Sequence, residues 1–139
     1  MKIVLVIDCN RIFAALIKEG TTRNIFWDDE FEFIAPDFIL EEIEKYKEEI
    51  MSKTVLTQEE FNVLLSLFLE RITIIPQEDY SEYTKIIEIS DIKDIPYVAC
   101  CLATKAHGIW THDPDFQQQT EVKVFTNMDL LKWLRKSQS

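Results

Sequence analysis

Apolar and polar residues alternate along the chain in blocks that predict strands and helices in turn. Lys2 to Ile7 is a continuous run rich in β-branched residues, which is typical of a strand covered on both faces in a parallel sheet. After Asp8, apolar residues recur at helical spacing between Asn10 and Lys18, and Gly20 is a typical helix stop. The chain therefore opens with a buried strand and an amphipathic helix.

The same alternation continues to the last residues. Phe31 to Ala35 alternates as a short strand, and Pro36 opens a helix whose apolar positions keep helical spacing as far as Ile50. A capping box, Thr57 with Glu60, begins a helix that is apolar on nearly all sides from Phe61 to Leu69. The other predicted elements are a strand at 72–75, helices at 80–89 and 94–106, strands at 108–111 and 122–125, and a helix from Asn127. This order predicts an α/β fold, a three-layer α/β/α sandwich around a mostly parallel sheet.

Acidic residues stand where this fold would bring them together. Asp8 and Asp113 each follow a predicted apolar strand, and the carboxyl ends of parallel strands meet at one edge of the sheet. Taken alone, Asp94 fits a helix cap and Glu42 a solvated charge. In combination, carboxylates so close would repel unless a cation lay between them. Oxygen ligands without a cluster of His or Cys favour Mg²⁺ or Mn²⁺, which can activate water and brace a phosphoryl oxygen.

Length and charge limit the classes of function. The 139 residues fit one domain, 1–139, with its own core. Fifteen Lys and Arg against 25 Asp and Glu give a net charge of −10, so binding of a polyanion would need a local basic patch or bound cations. The only glycines, Gly20 and Gly108, cannot build a Walker loop or a dinucleotide-binding loop.

The sequence also favours a cytoplasmic protein. The apolar region from Phe61 to Ile75 is interrupted by polar residues and too short to span a bilayer. The opening run is too short for a signal peptide and carries an acid. Three cysteines without CxxC spacing suit reduced thiols rather than a disulfide frame.

Three ordered motifs resemble the PIN-domain ribonucleases. "VLVIDCN" at Val4 to Asn10 is similar to the opening strand of that family with its first metal-binding aspartate, Asp8. "PDFILEEI" resembles the second motif, in which Glu42 is the ligand and Glu41 the less favoured register. "DIKDIPYVACCLATKAHGIWTHDPDF" resembles the most specific part and brings in Asp94, Thr111, Asp113 and Asp115. The resemblance spans almost the whole chain.

The resemblance implies a metal-dependent endoribonuclease that hydrolyses single-stranded RNA without a covalent enzyme intermediate. It assigns Asp8, Glu42, Asp94 and Asp113 to one or more Mg²⁺ or Mn²⁺ ions, with Asp115 as a less certain ligand. It makes Asn10 and Thr111 supporting residues that orient carboxylates or substrate. Many small prokaryotic members are toxins paired with an antitoxin, so such a partner is an expectation here. One departure is Cys9, which stands where the family commonly has Ser or Thr.

Other interpretations fit the sequence less well. Zinc would require clustered Cys and His, and a nucleophilic pair of Cys9 and His112 lacks an orienting partner. A haloacid dehalogenase phosphatase would need Asp where Asn10 stands, and a receiver domain would need Asp where a central strand ends in Pro76. A PIN-fold module that binds nucleic acid or protein without cleavage remains the alternative.

Two expectations concern assembly and the path of the substrate. The apolar helix from Phe61 to Leu69 predicts either a central helix or a homodimer contact, and we expect a homodimer. Arg11, Lys18 and Lys105 follow motif residues on predicted helices. They are the candidate basic groups near the acids.

Overall fold

The computed structural model describes residues 2–87 and 92–137 of the chain. Its strands there are β1 (Ile3–Ile7), β2 (Phe31–Pro36), β3 (Ile72–Ile75), β4 (Gly108–Trp110) and β5 (Val124–Phe125). Its helices are α1 (Cys9–Ile17), α2 (Thr21–Phe26), α3 (Phe38–Ser52), α4 (Gln58–Glu70), α5 (Gln77–Tyr80), α6 (Ile95–Thr104) and α7 (Asn127–Ser137). Short 3₁₀ helices lie at Ser81–Ile86, Ile92–Asp94 and Pro114–Gln118.

The five strands form one parallel sheet in the order β3-β2-β1-β4-β5. Strand β1 is central, since Val6 pairs with Ile34 on one side and with Ile109 on the other. Helices flank the sheet, so the predicted α/β/α sandwich with a parallel sheet is confirmed. All carboxyl ends of the strands therefore lie at one edge, which we call the carboxyl edge, and all amino ends lie at the other, the amino edge.

Aliphatic and aromatic side chains fill the core around β1. Leu5, Val6 and Ile7 are fully buried, as a strand covered on both faces requires. Phe33 of β2 stacks on Phe26 of α2, with ring centroids 5.3 Å apart. On its other side Phe33 stacks on Trp110 of β4 at 5.4 Å. Such ring pairs stabilise a core beyond the effect of the area that they bury. Here they also link the strands that lead to the carboxyl edge.

Arg71, which caps the carboxyl end of α4, links that helix to the turn before β2. Its guanidinium donates to the carbonyl oxygens of Phe26, Asp28 and Phe31, at 2.5 Å for Asp28 and 3.1 Å for Phe31. The same group lies over the ring of Phe33, 5.6 Å from its centroid. Charge-assisted hydrogen bonds of this kind are stronger than those between neutral groups, so the turn that starts β2 is held in place.

Several predicted boundaries differ from those observed. Pro36 ends β2 rather than opening a helix, because it pairs with Ile75 of β3 and leaves α3 to begin at Phe38. The strand predicted at 122–125 is reduced to Val124–Phe125. The sequence analysis missed α2, whose six residues bury only Ile25 and Phe26 and are too few to show a helical period. The helix predicted at 80–89 is α5 followed by a 3₁₀ helix as far as Ile86, and its last two residues lie outside the described ranges.

Helix α4 is only partly in the core. Its capping box is present, with the Glu60 N–H 3.1 Å from the Thr57 hydroxyl and the Thr57 N–H 2.9 Å from the Glu60 carboxylate. Its inner face buries Phe61, Leu65 and Phe68. Its outer face leaves Val63 61% and Leu67 46% exposed, so α4 has an apolar strip that this chain does not cover. Among the described residues, no helix is long and apolar enough to cross a bilayer.

Candidate metal centre

Asp8 stands at the carboxyl end of the central strand, where the chain turns into α1. It is only 5% exposed, and its backbone N–H continues the sheet by donating to the Trp110 carbonyl at 3.1 Å. Burial raises the pKa of the Asp8 carboxyl above its ordinary value of 3.8, and the nearby Asp113 raises it further. The Thr111 hydroxyl, the Asn10 backbone and the Arg11 charge act in the opposite direction. A charge at Asp8 is therefore costly for this fold in the absence of a cation.

Thr111 connects Asp8 to the loop that carries the other acids. Its buried hydroxyl donates to Asp8 Oδ2 at 2.7 Å. The hydroxyl oxygen of Thr111 also accepts the backbone N–H of Asp113 at 3.0 Å. One side chain thus sets the distance between the end of β1 and the loop after β4.

Three carboxylates converge close to this point. Asp94, Asp113 and Asp115 each offer an oxygen, and these oxygens lie within 4.8 Å of one another. Asp94 is 6% exposed and stands where a short 3₁₀ helix passes into α6. Asp113 caps the 3₁₀ helix at Pro114–Gln118 by accepting the Asp115 N–H at 2.9 Å, which turns Asp115 back towards its neighbours. These three carboxylates form a group of described residues that could chelate an ion.

Glu42 lies on α3 and is held by a residue of α6. The Tyr97 hydroxyl donates a hydrogen bond to Glu42 Oε1. Burial raises the pKa of Tyr97, and the nearby thiol of Cys9 and the carboxylate of Glu42 add to the rise, so the phenol stays a donor. Glu42 also raises the pKa of the Cys9 thiol. The carboxylate of Glu42 therefore lies near the start of α1. Its neighbour Glu41 is exposed on the outer side of α3.

The three predicted basic residues lie at different distances from the acids. Arg11 is half-buried in the first turn of α1, and its charge acts on both Asp8 and His112. Within the described ranges its buried Nε has no hydrogen-bond partner. Lys18 follows the far end of α1, and Lys105 follows the far end of α6. At 1.5 Å per residue, each lies at least about 15 Å along its helix from the acid at the other end.

Cys9 and His112 are unsuited to a nucleophilic pair. Burial raises the pKa of the Cys9 thiol, with Glu42 and Asp8 adding to the rise, so the thiolate is disfavoured. His112 Nε2 accepts the backbone N–H of Asn127 at 2.9 Å, and burial lowers the pKa of its imidazole.

Asn10 is exposed beside Asp8 at the start of α1.

The structure thus sorts the candidate acids into two groups. Asp94, Asp113 and Asp115 form the three-carboxylate cluster, although the sequence analysis ranked Asp115 lowest. Asp8 joins that cluster through Thr111 and through its charge interaction with Asp113, and Glu42 lies beyond Asp8 on the side of Tyr97. The sequence analysis missed Tyr97, although its place three residues after Asp94 puts both on one face of α6.

Known proteins were compared with this chain. Residues 6–130 match the family described as PIN domain. A solved structure with a similar fold is a chain of VapBC2 from Rickettsia felis, crystallised with a DNA fragment from its promoter, with a TM-score of 0.60 and 15% identity. The match covers 89% of this chain and 98% of that one, and at this identity it bears on the fold alone. No curated protein sequence matches significantly.

The buried charge of Asp8 leads to a prediction about stability. Below the ordinary pKa of 3.8 both folded and unfolded chains are protonated at Asp8, and as pH rises the unfolded chain loses its proton first. Wild type therefore loses stability between that value and the raised pKa of the folded state. We expect Asp8→Asn in chelator to melt a few degrees above wild type at pH 7, as expected for about 1 kcal/mol. The gap should close towards pH 4.

Thermal melts from pH 4 to pH 8 measure this difference. Asp29→Asn, at an exposed position, is the matched control and should melt like wild type. A melting temperature of Asp8→Asn at or below that of wild type at pH 7 would show that the charge of Asp8 is not a cost to the fold.

Proposed function

This chain belongs to the PIN-domain family, and we propose that it is a metal-dependent endoribonuclease that cuts single-stranded RNA. We propose one domain over residues 1–139 with its active site at the carboxyl edge. The observation that carries the proposal is the convergence of Asp94, Asp113 and Asp115 within 4.8 Å, next to the buried Asp8. Carboxylates this close repel one another, and a bound cation would offset that repulsion.

The donor atoms fit a hard divalent cation. Every candidate ligand is a carboxylate oxygen, which suits Mg²⁺ or Mn²⁺. A cation would offset both the desolvation of Asp8 and its repulsion by Asp113. We propose that Asp8, Asp94 and Asp113 hold the ion or ions, that Asp115 is an additional ligand, and that Glu42 takes part directly or through water. When bound, such an ion supplies positive charge to a phosphoryl oxygen and makes water more acidic.

The residues around these acids have positioning roles in this proposal. The Thr111 hydroxyl orients the Asp8 carboxylate, and the Tyr97 hydroxyl orients Glu42. Asn10, exposed at the start of α1, can hydrogen-bond the substrate. Cys9 cannot replace a Ser or Thr hydroxyl at this place, because its thiol is a weak donor and is buried. A nuclease with little activity, or a PIN-fold module that only binds nucleic acid or protein, therefore remains the second candidate.

Cleavage of RNA tests the proposal. We expect wild type to cut a labelled single-stranded RNA in Mn²⁺ and to stop in chelator. Asp8→Asn and Asp113→Asn should each lower the rate by about 100-fold or more, since each removes a proposed ligand of the ion that supplies positive charge to the phosphate.

The control for this experiment is Glu44→Gln, which removes an exposed carboxylate from the same helix as Glu42. It should cut at the wild-type rate. Equal cutting by wild type and the two Asn variants would disprove the nuclease assignment. Binding of Mn²⁺ by wild type with no cutting would favour the binding module.

Arg11 is the proposed contact for a substrate phosphate. It is the basic side chain whose charge acts directly on Asp8, and its buried Nε lacks a partner within the described residues. A guanidinium can donate to phosphate oxygens through two N–H groups. We expect Arg11→Gln to raise KM for RNA by about tenfold or more, with a smaller loss in kcat, and Arg11→Lys to recover part of it.

Lys18→Gln is the matched control, because it removes one charge from the opposite end of α1. A wild-type KM for Arg11→Gln, or an equal rise for Lys18→Gln, would contradict a local phosphate contact at Arg11.

We also propose that the protein is cytoplasmic.

We propose further that it forms a homodimer through the exposed strip of α4, Val63 and Leu67. Apolar side chains this exposed are typical of contact surfaces. Light scattering at micromolar concentration should give a mass near twice 16.4 kDa for wild type. Val63→Lys with Leu67→Lys should give a monomer. A monomeric wild type would disprove the dimer.

An antitoxin partner is a further proposal. Small prokaryotic PIN proteins are often paired in this way, and the similar fold of the VapBC2 chain is compatible with it. Coexpression with the product of an adjacent gene should yield a stable complex with suppressed cleavage. Failure of all such products to bind or inhibit would disprove it.

A further inference from the structure

A second cluster of like charges lies at the amino edge of the sheet, opposite the acids. Lys2, His107 and Lys123 immediately precede β1, β4 and β5, and these strands are neighbours in the sheet. Because the strands are parallel, the three residues lie at the same edge of the sheet. Strand β1 has five residues, so about 17 Å of strand separates Lys2 from the carboxyl edge.

Residues of helix α7 and the three residues at the amino edge line a cleft together. Lys2, His107, Lys123, Phe125 and Trp133 line a cavity of about 400 Å³. A second cavity of about 370 Å³ shares Lys123, Phe125 and Trp133 and adds Lys132. We call these two cavities, which share those three lining residues, the amino-edge cleft. Trp133 is 42% exposed in it, while Leu130, which lines the same cavity one turn earlier on α7, is buried against the core.

The chemistry of the cleft does not follow from the needs of the fold. Basic residues in the last turn of a helix are favoured by its dipole, which accounts for Arg135 and Lys136 of α7. That reason does not apply to Lys2 or Lys123, which stand before strands, and it is weak for Lys132 in the middle of α7. The acid that also lines the cleft, Asp129, accepts the N–H and hydroxyl of Thr126 at 2.9 and 3.0 Å.

His107 adds a hydrogen-bond donor to the cleft. Its Nδ1 accepts the backbone N–H of Val4 at 3.1 Å. In the neutral imidazole the proton is therefore on Nε2, which leaves an N–H for a ligand. The cleft thus combines ammonium groups, one imidazole donor and an exposed indole, in a chain whose net charge is −10.

We propose that the amino-edge cleft is a second contact for single-stranded RNA, separate from the acidic centre. The lysines bind phosphates, and Trp133 stacks on one base, as aromatic side chains do in proteins that bind single strands. The inference rests on the proposed function, since it makes the ligand of the cleft the substrate of the acidic centre. It explains how so acidic a protein captures a polyanion: the contact that attracts RNA and the site that cuts it lie at opposite edges of one sheet.

The shape of the cleft favours a nucleic acid over an anionic membrane. A lipid surface is bound by an exposed apolar helix face beside the charges, whereas α7 packs Leu130, Leu131 and Leu134 against the core. The large apolar side chains that α7 exposes, Met128 and Trp133, are five residues apart and so do not form one continuous face. A single indole at the rim of a concave, basic cavity suits one base between two phosphates.

Binding without cleavage tests the inference. We would measure the anisotropy of a labelled 12-nucleotide RNA with the full chain in chelator, over a range of salt. Lys2→Gln with Lys123→Gln and Lys132→Gln should weaken binding about tenfold or more. The slope of log K against log salt should fall by about 2, at roughly 0.7 for each phosphate that a lysine no longer neutralises. Trp133→Ala should weaken binding by at least about fivefold, with the salt slope unchanged.

The matched control is Lys18→Gln with Lys53→Gln and Lys85→Gln, which removes the same charge from exposed positions outside the cleft. It should keep wild-type affinity apart from a small uniform effect of net charge. Equal affinities and slopes for the two triple variants would overturn the inference, as would a wild type that does not bind the RNA in chelator. Preferential binding of vesicles of phosphatidylserine and phosphatidylcholine, abolished in the cleft variant, would overturn it in favour of lipid.

Cleavage in Mn²⁺ separates this inference from the proposed function. If both hold, the cleft variants should raise KM for the 12-nucleotide RNA and leave kcat within about twofold. A wild type that cuts RNA, with KM unchanged in the cleft variants, would retain the nuclease and remove the cleft. A wild type that binds RNA through the cleft lysines but never cuts would retain the cleft and remove the nuclease.

Discussion

The central position of β1 constrains the rest of the molecule. This strand is hydrogen-bonded to β2 on one side and β4 on the other, and helices cover both faces. The second half of a strand so placed has no contact with water, so Leu5, Val6 and Ile7 must be apolar. The first polar side chain that can follow is the one at the carboxyl end, and in this protein it is Asp8. Since every strand runs in the same direction, the residues after the other strands arrive at the same edge.

The same constraint makes the charged form of the acidic centre unfavourable for folding. Asp8 cannot leave the end of β1, and there it is desolvated and close to Asp113. Part of the cost is offset locally by the Thr111 hydroxyl, which donates to Asp8 while accepting the N–H of Asp113. A fold that keeps such a group gives up stability that an apolar residue would supply, which is a common cost of function. An acid in an equivalent place need not be costly: Asp37 follows β2, and its carboxylate accepts from the Tyr80 hydroxyl at 2.7 Å and from the Gln77 N–H at 3.0 Å.

Comparison of these two aspartates explains the limits of prediction at the site. Both directly follow apolar strands, and nothing in the local pattern distinguishes a carboxylate that belongs to a cluster from one that joins a loop to a helix. The order of motifs selected Asp8, Asp94 and Asp113. The position of Asp115 depended on a 3₁₀ turn in which its own N–H donates to Asp113. The partner of Glu42 was a tyrosine 55 residues away on another helix, a contact for which spacing along the chain carries no signal.

Local patterns in the sequence are enough to predict the alternation of strands and helices, the α/β class, and which polar residues stand at the ends of elements. These features depend on the period of apolar residues and on capping and turn residues, which act within a few positions along the chain. Only the tertiary structure decided the strand order β3-β2-β1-β4-β5, because each strand is apolar enough to pair with any other. That order put Asp8 next to Thr111 at one edge, and Lys2, His107 and Lys123 around one cavity at the other. Contacts between residues about 100 positions apart are set by which surfaces pack together, and a local pattern does not contain that information.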